Sequence, residues 1–279
     1  MELSAAIERV LGGLFEARTG QQLSSDRRWR METALQPILR ARALPSADAL
    51  VSLLLSGRDA RIADEIVEGL LNNETSFFRD PQAFRVVERA ITERLQADPG
   101  RRLRIWCAGC STGQEAYSLA MAMVERVRPR VLPEIVATDI SAGVIERAKI
   151  GRYSHFEIQR GLPMQSMIRW FDPEGDDWRA KPILREMVTF QRRGLGEGPP
   201  SRIAFDIVLC RNVMLYFTGQ FRRQVFDMIA GAIAEDGYLL LGAGETVIGQ
   251  TGRFAPDPDF RGLYRLVGEA GLRNRGGRP

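Results

Sequence analysis

The chain reads as an α/β protein: a parallel-sheet domain preceded by a small all-helical domain and interrupted by a small inserted subdomain. Three observations predict this. Apolar residues over the first 70 positions recur only at helical spacing. From Pro81 onward, short apolar runs alternate with helical segments, the order that parallel strands and right-handed crossovers require. That alternation lapses between Gly151 and Met187. A length of 279 residues accommodates one large domain and a smaller one. The expected boundaries are 1–70 for the helical domain, 71–269 for the sheet domain with its insertion at about 151–187, and 270–279 for a Gly/Arg-rich disordered tail.

In the first domain, Ile7, Val10, Leu11, Leu14 and Phe15 fall at helical spacing, as do Leu50, Leu53 and Leu54, and then Ile62, Ile66, Val67 and Leu70. Gly20 and Pro45-Ser46 separate these groups, and Ser46 is placed to start a helix at Ala47. A helix through Val86, Val87, Ile91 and Leu95 stops at Asp98-Pro99-Gly100. Strands are then expected at Leu103–Cys107, Ile135–Thr138, Met187–Gln191, Phe205–Leu209 and Gly237–Leu241, with helices at Glu115–Arg126, Val144–Ile150 and about Gln220–Ala234 between them. Phe260–Val267 reads as a final antiparallel strand. Prolines at 163, 173 and 182 and the turn Glu174-Gly175-Asp176-Asp177 mark the inserted segment.

Hydrophobic content of 44% and charged content of 27% are ordinary for a soluble globular protein, and no apolar run is long enough for a membrane span. The start, Met1-Glu2-Leu3-Ser4, lacks a basic-then-apolar leader, so a cytoplasmic location without membrane insertion is expected. Cys107, Cys110 and Cys210 form no disulfide framework, and with His155 as the only histidine a metal site is not expected. The three cysteines read as reduced core or pocket residues. Net charge is +4 and the pI about 9.2, carried by arginine, since Lys149 and Lys181 are the only lysines. Such a balance favours an acidic partner, either nucleic acid or an acidic protein surface.

Three segments place polar or cationic side chains among aromatics where a helix or strand should end: Asn73-Glu74-Thr75-Ser76-Phe77-Phe78-Arg79, Trp106 to Glu115, and Cys210 to Phe217. In the second, Gly109 and Gly113 allow a backbone to approach a ligand, and the helix that follows offers free N–H groups. The glycines are four apart, which is not the G-x-G-x-x-G dinucleotide pattern and disfavours a nicotinamide enzyme. A tight turn without any ligand is the competing reading. Asp139, at the end of the second strand, suits either a ribose diol or a helix cap. Glu115, at the start of the first crossover helix, suits the helix dipole. Asn212 and Tyr216 follow the fourth strand at the end where open α/β sheets place ligands. Phe77-Phe78 is costly to leave exposed, so it should anchor its segment over the sheet as a lid. His155 reads as a structural or surface residue.

As a trio, these segments closely resemble the chemotaxis receptor methyltransferase family, CheR, over about Glu65 to Tyr264. The resemblance implies a class I S-adenosylmethionine-dependent methyltransferase with a Rossmann-like sheet, a helical N-terminal domain and a small β subdomain in the insertion. It implies S-adenosyl-L-methionine as cofactor, with S-adenosyl-L-homocysteine as product, and formation of glutamate methyl esters on the cytoplasmic helices of methyl-accepting chemotaxis proteins. Carried over residue by residue, the cofactor pocket takes Asn73, Thr75, Arg79, Gly109, Glu115, Asp139, Leu195, Arg211 and Asn212, and the catalytic pair is Arg79 with Tyr216. Gln191-Arg192-Arg193-Gly194-Leu195-Gly196 departs from the family's Asn-Leu near the adenine. Only Leu195 matches there, and a backbone amide of Gly194 or Leu195 is the substitute contact.

The absence of an Asn-Pro-Pro-Tyr-like motif after the fourth strand speaks against nitrogen as acceptor. A methyltransferase for a small carboxylate or RNA, or a non-catalytic receptor-binding module of the same fold, are the alternatives. No nucleic acid partner and no oligomer are expected. Arg27, Arg28, Arg30, Arg40 and Arg42 around Trp29 form either a solvated face or a docking face for an acidic receptor bundle.

Overall fold

The computed structural model describes residues 3–23 and 28–268. The expected tail at 270–279, Arg27 and the side chains of Arg28, Trp29 and Arg30 lie outside the described residues. The chain divides into two compact units, Met1–Asn72 with Tyr216–Phe221, and Asn73–Leu215 with Arg222–Pro279.

The first unit is built on α1 (Ala5–Thr19), α2 (Arg28–Ala41), α3 (Ala47–Leu55) and α4 (Ile62–Leu70). Ser4 caps α1 by accepting from the Ile7 N–H at 3.3 Å, and Gly20 ends it with a left-handed φ of 72° that a side chain would resist. Ile7, Leu11 and Phe15 form the buried stripe of α1, and Leu35, Leu39, Leu50 and Ile66 supply the facing apolar surface. Ser46 caps α3 as expected, accepting from the Ala49 N–H at 3.3 Å. The segment 216–221 returns to this unit: Gln22 N–H donates to the Tyr216 carbonyl at 2.7 Å, and Gln21 pairs with Phe217 in an antiparallel bridge. Arg42, read as part of either a solvated face or a docking face, is fastened to Asp59 and Glu65. Its guanidinium bonds hold both carboxyls below their ordinary range.

In the second unit, a seven-stranded sheet has the order β6-β2-β1-β7-β8-β10-β9. Its members are β1 (Arg104–Ala108), β2 (Glu134–Asp139), β6 (Val188–Arg192), β7 (Phe205–Cys210), β8 (Ile233–Leu241), β9 (Phe254–Pro256) and β10 (Leu263–Leu266). The strands from β6 through β8 are parallel, and β10 and β9 add antiparallel pairs. All six residues of β7 are buried, as a central strand covered on both faces must be. α5 (Pro81–Ala97) leads into β1, and the crossover helices include α6 (Gln114–Ala122), α7 (Ala142–Ile150) and α11 (Gly219–Ala232). The strand order reverses between β1 and β7, so the loops leaving their carboxyl ends flank the crevice where this architecture binds ligands.

The insertion holds β3 (Arg152–Ser154), α8 (His155–Gln159), α9 (Met164–Trp170), β4 (Phe171–Glu174), β5 (Asp177–Ala180) and α10 (Pro182–Glu186). Its strands form a three-stranded antiparallel sheet in the order β3-β5-β4. Tyr153 is fully buried, donates its hydroxyl to the Thr112 carbonyl at 2.7 Å, and meets Phe77 edge-on at 5.1 Å. The subdomain is thereby keyed to the turn after β1.

Boundaries depart from expectation at several elements, three of them informatively. The helix expected to run to Arg126 ends at Ala122 and continues as a π-helical turn, Met123–Val127, closed by Arg128 at a left-handed φ of 51°. The fifth strand starts at Ile233 rather than Gly237. A Cβ at Gly237 would lie 2.6 Å from Ile233 Cγ1, so the missing side chain permits a close approach inside a strand, where β7 and β8 also shift register. The last expected strand is shorter, Leu263–Leu266. Asp257 Oδ1 accepts from the Asp259 and Phe260 amides at 2.9 and 2.8 Å and turns the chain there.

Candidate active site

After β1 the chain turns through Gly109, Ser111 and Gly113, all at positive φ (80°, 49° and 93°). Gly109 and Cys110 both donate to the Thr138 carbonyl, at 2.8 and 2.9 Å, which ties the turn to the end of β2. Gly113 stands at the N-cap of α6 without a side-chain cap, leaving first-turn amides for an outside acceptor. A Cβ on Gly109 would lie 2.8 Å from Val213 Cγ2. The expected reason for this glycine, room for a ligand, is therefore incomplete: the loop after β7 already fills the space. Cys107, Cys110 and Cys210 are free and buried, and burial pushes all three thiols up.

Asp139 does more than either reading of the sequence offered. Oδ2 accepts from the Ser111 N–H at 2.8 Å and Oδ1 from the Ser141 N–H at 3.0 Å, while the cap of α7 is Ser141. Ser111 Oγ in turn donates to the Asn73 carbonyl at 2.7 Å. One serine thus joins Asn73, the glycine turn and Asp139.

A second node is Arg211. Its Nη1 donates to Glu115 Oε2 at 2.9 Å and its Nη2 to the Arg79 carbonyl at 2.9 Å, with Asp80 Oδ2 at 3.7 Å. The Arg211 side chain is only 3% exposed, so it bonds protein groups and holds Glu115, Arg79 and the post-β7 loop in register. Asn212 follows at a left-handed φ of 58°, a conformation asparagine tolerates. The backbone amides of Asn212, Val213, Leu215 and Gly242 converge on the Glu245 carboxylate at 2.7, 2.9, 3.3 and 2.7 Å. Glu245 was not legible in sequence. It lies far from every motif, and only the alignment of the β7 and β8 ends gives it four donors.

The segment 73–79 is fixed by its aromatics. Phe77 and Phe78 are 1% and 7% exposed, and the Phe78 N–H donates to Ser118 Oγ at 2.9 Å. Phe77 packs against Tyr153 and Phe171, Phe78 against Phe84. Arg79 keeps a half-exposed side chain whose Nη1 lies 3.0 Å from Glu74 Oε2. A cavity of about 320 Å³ opens here, lined by Asn73, Glu74, Thr75, Thr112, Gln114 and Arg160 among others. Gly109, Glu115, Asp139 and Arg211 do not line it.

At the exit of β6, the Arg193 N–H donates to the Asp139 carbonyl at 2.7 Å, bringing half-buried Leu195 toward the end of β2. The Gly194 amide, expected as a substitute adenine contact, is engaged instead by Glu197 Oε1 at 3.2 Å. Tyr216 belongs to the first unit, where Asn72 Nδ2 donates to its hydroxyl. His155 Nδ1 accepts from Trp178 Nε1 at 3.2 Å inside the insertion. Among the described residues no group of three or more His, Cys, Asp or Glu is placed to hold a metal ion, and no helix is long and apolar enough to cross a membrane.

S-adenosylmethionine carries a ribose diol, a cationic sulfonium and ammonium, and a carboxylate. The carboxyl edge of the sheet carries polar and charged groups of these kinds in Asp139, Glu115 and the first-turn amides of α6. A parallel sheet reversing between β1 and β7, with this set of groups on its loops, defines a class I, Rossmann-like S-adenosylmethionine-dependent methyltransferase.

Residues 73–258 match the family model described as CheR methyltransferase, SAM binding domain, and the chain belongs to that family. It is 34% identical over 241 residues to the chemotaxis protein methyltransferase Cher2 of Pseudomonas putida, covering 84% of this chain and 88% of that protein. It is 35% identical over 239 residues to chemotaxis protein methyltransferase 1 of Pseudomonas aeruginosa, covering 83% and 87%. A chemotaxis protein methyltransferase of Vibrio parahaemolyticus is 32% identical over 251 residues, covering 88% and 91%.

Proposed function

We propose that this protein is a protein-glutamate O-methyltransferase that esterifies glutamate side chains on the cytoplasmic helices of chemotaxis receptors, with S-adenosylmethionine as donor. The observation that carries this reading is its similarity, over more than four-fifths of its length, to proteins named chemotaxis protein methyltransferases. When bound, S-adenosylmethionine supplies a methyl group, which passes to a carboxylate oxygen as the C–S bond breaks and its electron pair stays on sulfur. A glutamate is already ionised at neutral pH and has no proton to lose, which fits a site where His155 lies in the insertion and no thiol is activated. Catalysis then rests on positioning and electrostatics.

In this reading, Asn73, Thr75, Gly109, Glu115, Asp139, Leu195, Arg211 and Asn212 build and hold the cofactor pocket. Arg79 holds an oxygen of the acceptor carboxylate, and Tyr216 acts in turnover rather than in cofactor binding. The half-exposed guanidinium of Arg79 supports this: its backbone is pinned by Arg211 while its side chain remains reachable. The test is methyl transfer from radiolabelled S-adenosylmethionine to receptor-enriched membranes, with RNA and small carboxylic acids in parallel. Label in the receptor band that alkali releases as methanol is the expected result. Alkali-stable label, or label confined to RNA or small acids, overturns it.

A further inference from the structure

Glu74 has a γ-carboxylate, the same functional group that the proposed reaction methylates, and it sits against the arginine proposed to hold that group. Oε2 is 3.0 Å from Arg79 Nη1, and Oε1 accepts from Arg160 Nη2. The three side chains are 40%, 37% and 49% exposed, so the contact is open to exchange. The surrounding frame is not. Arg211 fixes the Arg79 carbonyl at 2.9 Å, and Gly161, next to Arg160, approaches the segment so closely that a Cβ there would lie 2.1 Å from the Phe77 carbonyl oxygen. Glu74 and Arg160 both line the 320 Å³ cavity. The other carboxylate in that lining, Glu157, is held by Arg147 at 2.6 and 2.7 Å and by Ser154 at 2.9 and 3.0 Å. Glu74 is the one in contact with Arg79.

We propose that Glu74 is an internal stand-in for the acceptor carboxylate. It occupies Arg79 between turnovers, swings fully onto Arg160 when a substrate glutamate arrives, and returns to Arg79 once the ester has formed. This rests on the reading that Arg79 holds the acceptor. Exchange of one carboxylate for another on a guanidinium conserves charge-assisted hydrogen bonds, so the displacement has a low cost. The methyl ester is neutral and makes weaker bonds to the same fork, so the returning Glu74 carboxylate outcompetes the product. Glu74 thereby weakens ground-state binding of substrate and favours release of product. Arg160 is the second hold that makes the swing reversible.

The experiment measures steady-state methyl transfer to receptor-enriched membranes by the full-length protein and its variants, with S-adenosylhomocysteine affinity by calorimetry as a control. Glu74→Gln and Glu74→Ala are expected to lower the KM for receptor roughly two- to fivefold, the scale of a half-exposed ion pair. They should also deepen inhibition by fully methylated receptor. Arg160→Ala should shift KM upward, because Glu74 then rests on Arg79 alone, and Glu74→Gln added to Arg160→Ala should abolish that rise. An unchanged or raised KM in both Glu74 variants overturns the proposal. So does a fall in kcat at constant KM, which assigns Glu74 to aligning Arg79 for reaction. Arg79→Lys separates the two levels. If it leaves kcat and KM untouched, the role of Arg79 itself fails; if it impairs turnover while the Glu74 variants keep wild-type KM, only the stand-in fails.

Discussion

Arg211 and Glu115, 96 positions apart, form an ion pair at 2.9 Å with 3% and 14% of their side chains exposed. The pair joins the loop after β7 to the first turn of α6, and through the Arg79 carbonyl it also fixes the 73–79 segment. Breaking a buried pair from one side leaves the partner charge uncompensated. Arg211→Met is therefore expected to lose about 3–5 kcal/mol of stability in urea denaturation. Arg211→Met combined with Glu115→Gln should be less than additive. A loss below about 1 kcal/mol would mean that solvent screens the pair as it does on a surface.

Glu245 gathers four backbone amides from the ends of β7 and β8. Glu245→Gln keeps the shape but loses the charge, and is expected to cost about 2–3 kcal/mol. Because the same amides shape the Asn212 loop, S-adenosylhomocysteine affinity should fall with it. Calorimetry on folded variant at wild-type affinity would confine Glu245 to stability.

Asp139→Asn tests the ribose contact. Charge-assisted bonds to hydroxyls carry about 1.5–3 kcal/mol, so S-adenosylhomocysteine binding should weaken roughly 10- to 150-fold. If affinity is unchanged in a folded variant, Asp139 is a structural residue that ties down the Ser111 and Ser141 amides.

Tyr216→Phe deletes one hydroxyl and keeps the ring. S-adenosylhomocysteine affinity should change little while methyl transfer drops about 10-fold, since roughly 1.4 kcal/mol of lost positioning gives that factor. Wild-type turnover in this variant removes Tyr216 from the mechanism and leaves its hydroxyl a structural role that includes its bond with Asn72.

The bidentate bonds from Arg104 to Glu134, both at 3.0 Å, hold the Glu134 carboxyl below its ordinary value of about 4.5. A depressed folded value makes the unfolded chain take up protons first as pH falls. The contribution is therefore full above that ordinary value and is lost as pH drops through the folded one. Glu134→Gln should flatten the decline of urea stability between about pH 5 and pH 3. An identical pH profile in the variant would show that the pair is screened.

Local rules were enough to read the alternating strands and helices, the antiparallel end, the inserted subdomain and the Ser46 cap, because periodicity and capping act within a few residues. The glycine turn, Asp139 and the 73–79 segment were visible for the same reason, as polar groups at the ends of apolar runs. What the sequence alone left open was how those groups are engaged. Asp139 turned out to hold two loop amides, Gly109 to face Val213, and the Gly194 amide to be taken by Glu197. Glu245, Ser111 and the Glu74 contacts to Arg79 and Arg160 went unread, since each depends on partners brought together by the sheet order or by the insertion. Tertiary structure alone decided these, because the hydrogen-bond capacity of a carboxylate is fixed by its chemistry but its partners are fixed by which chain ends the fold sets side by side.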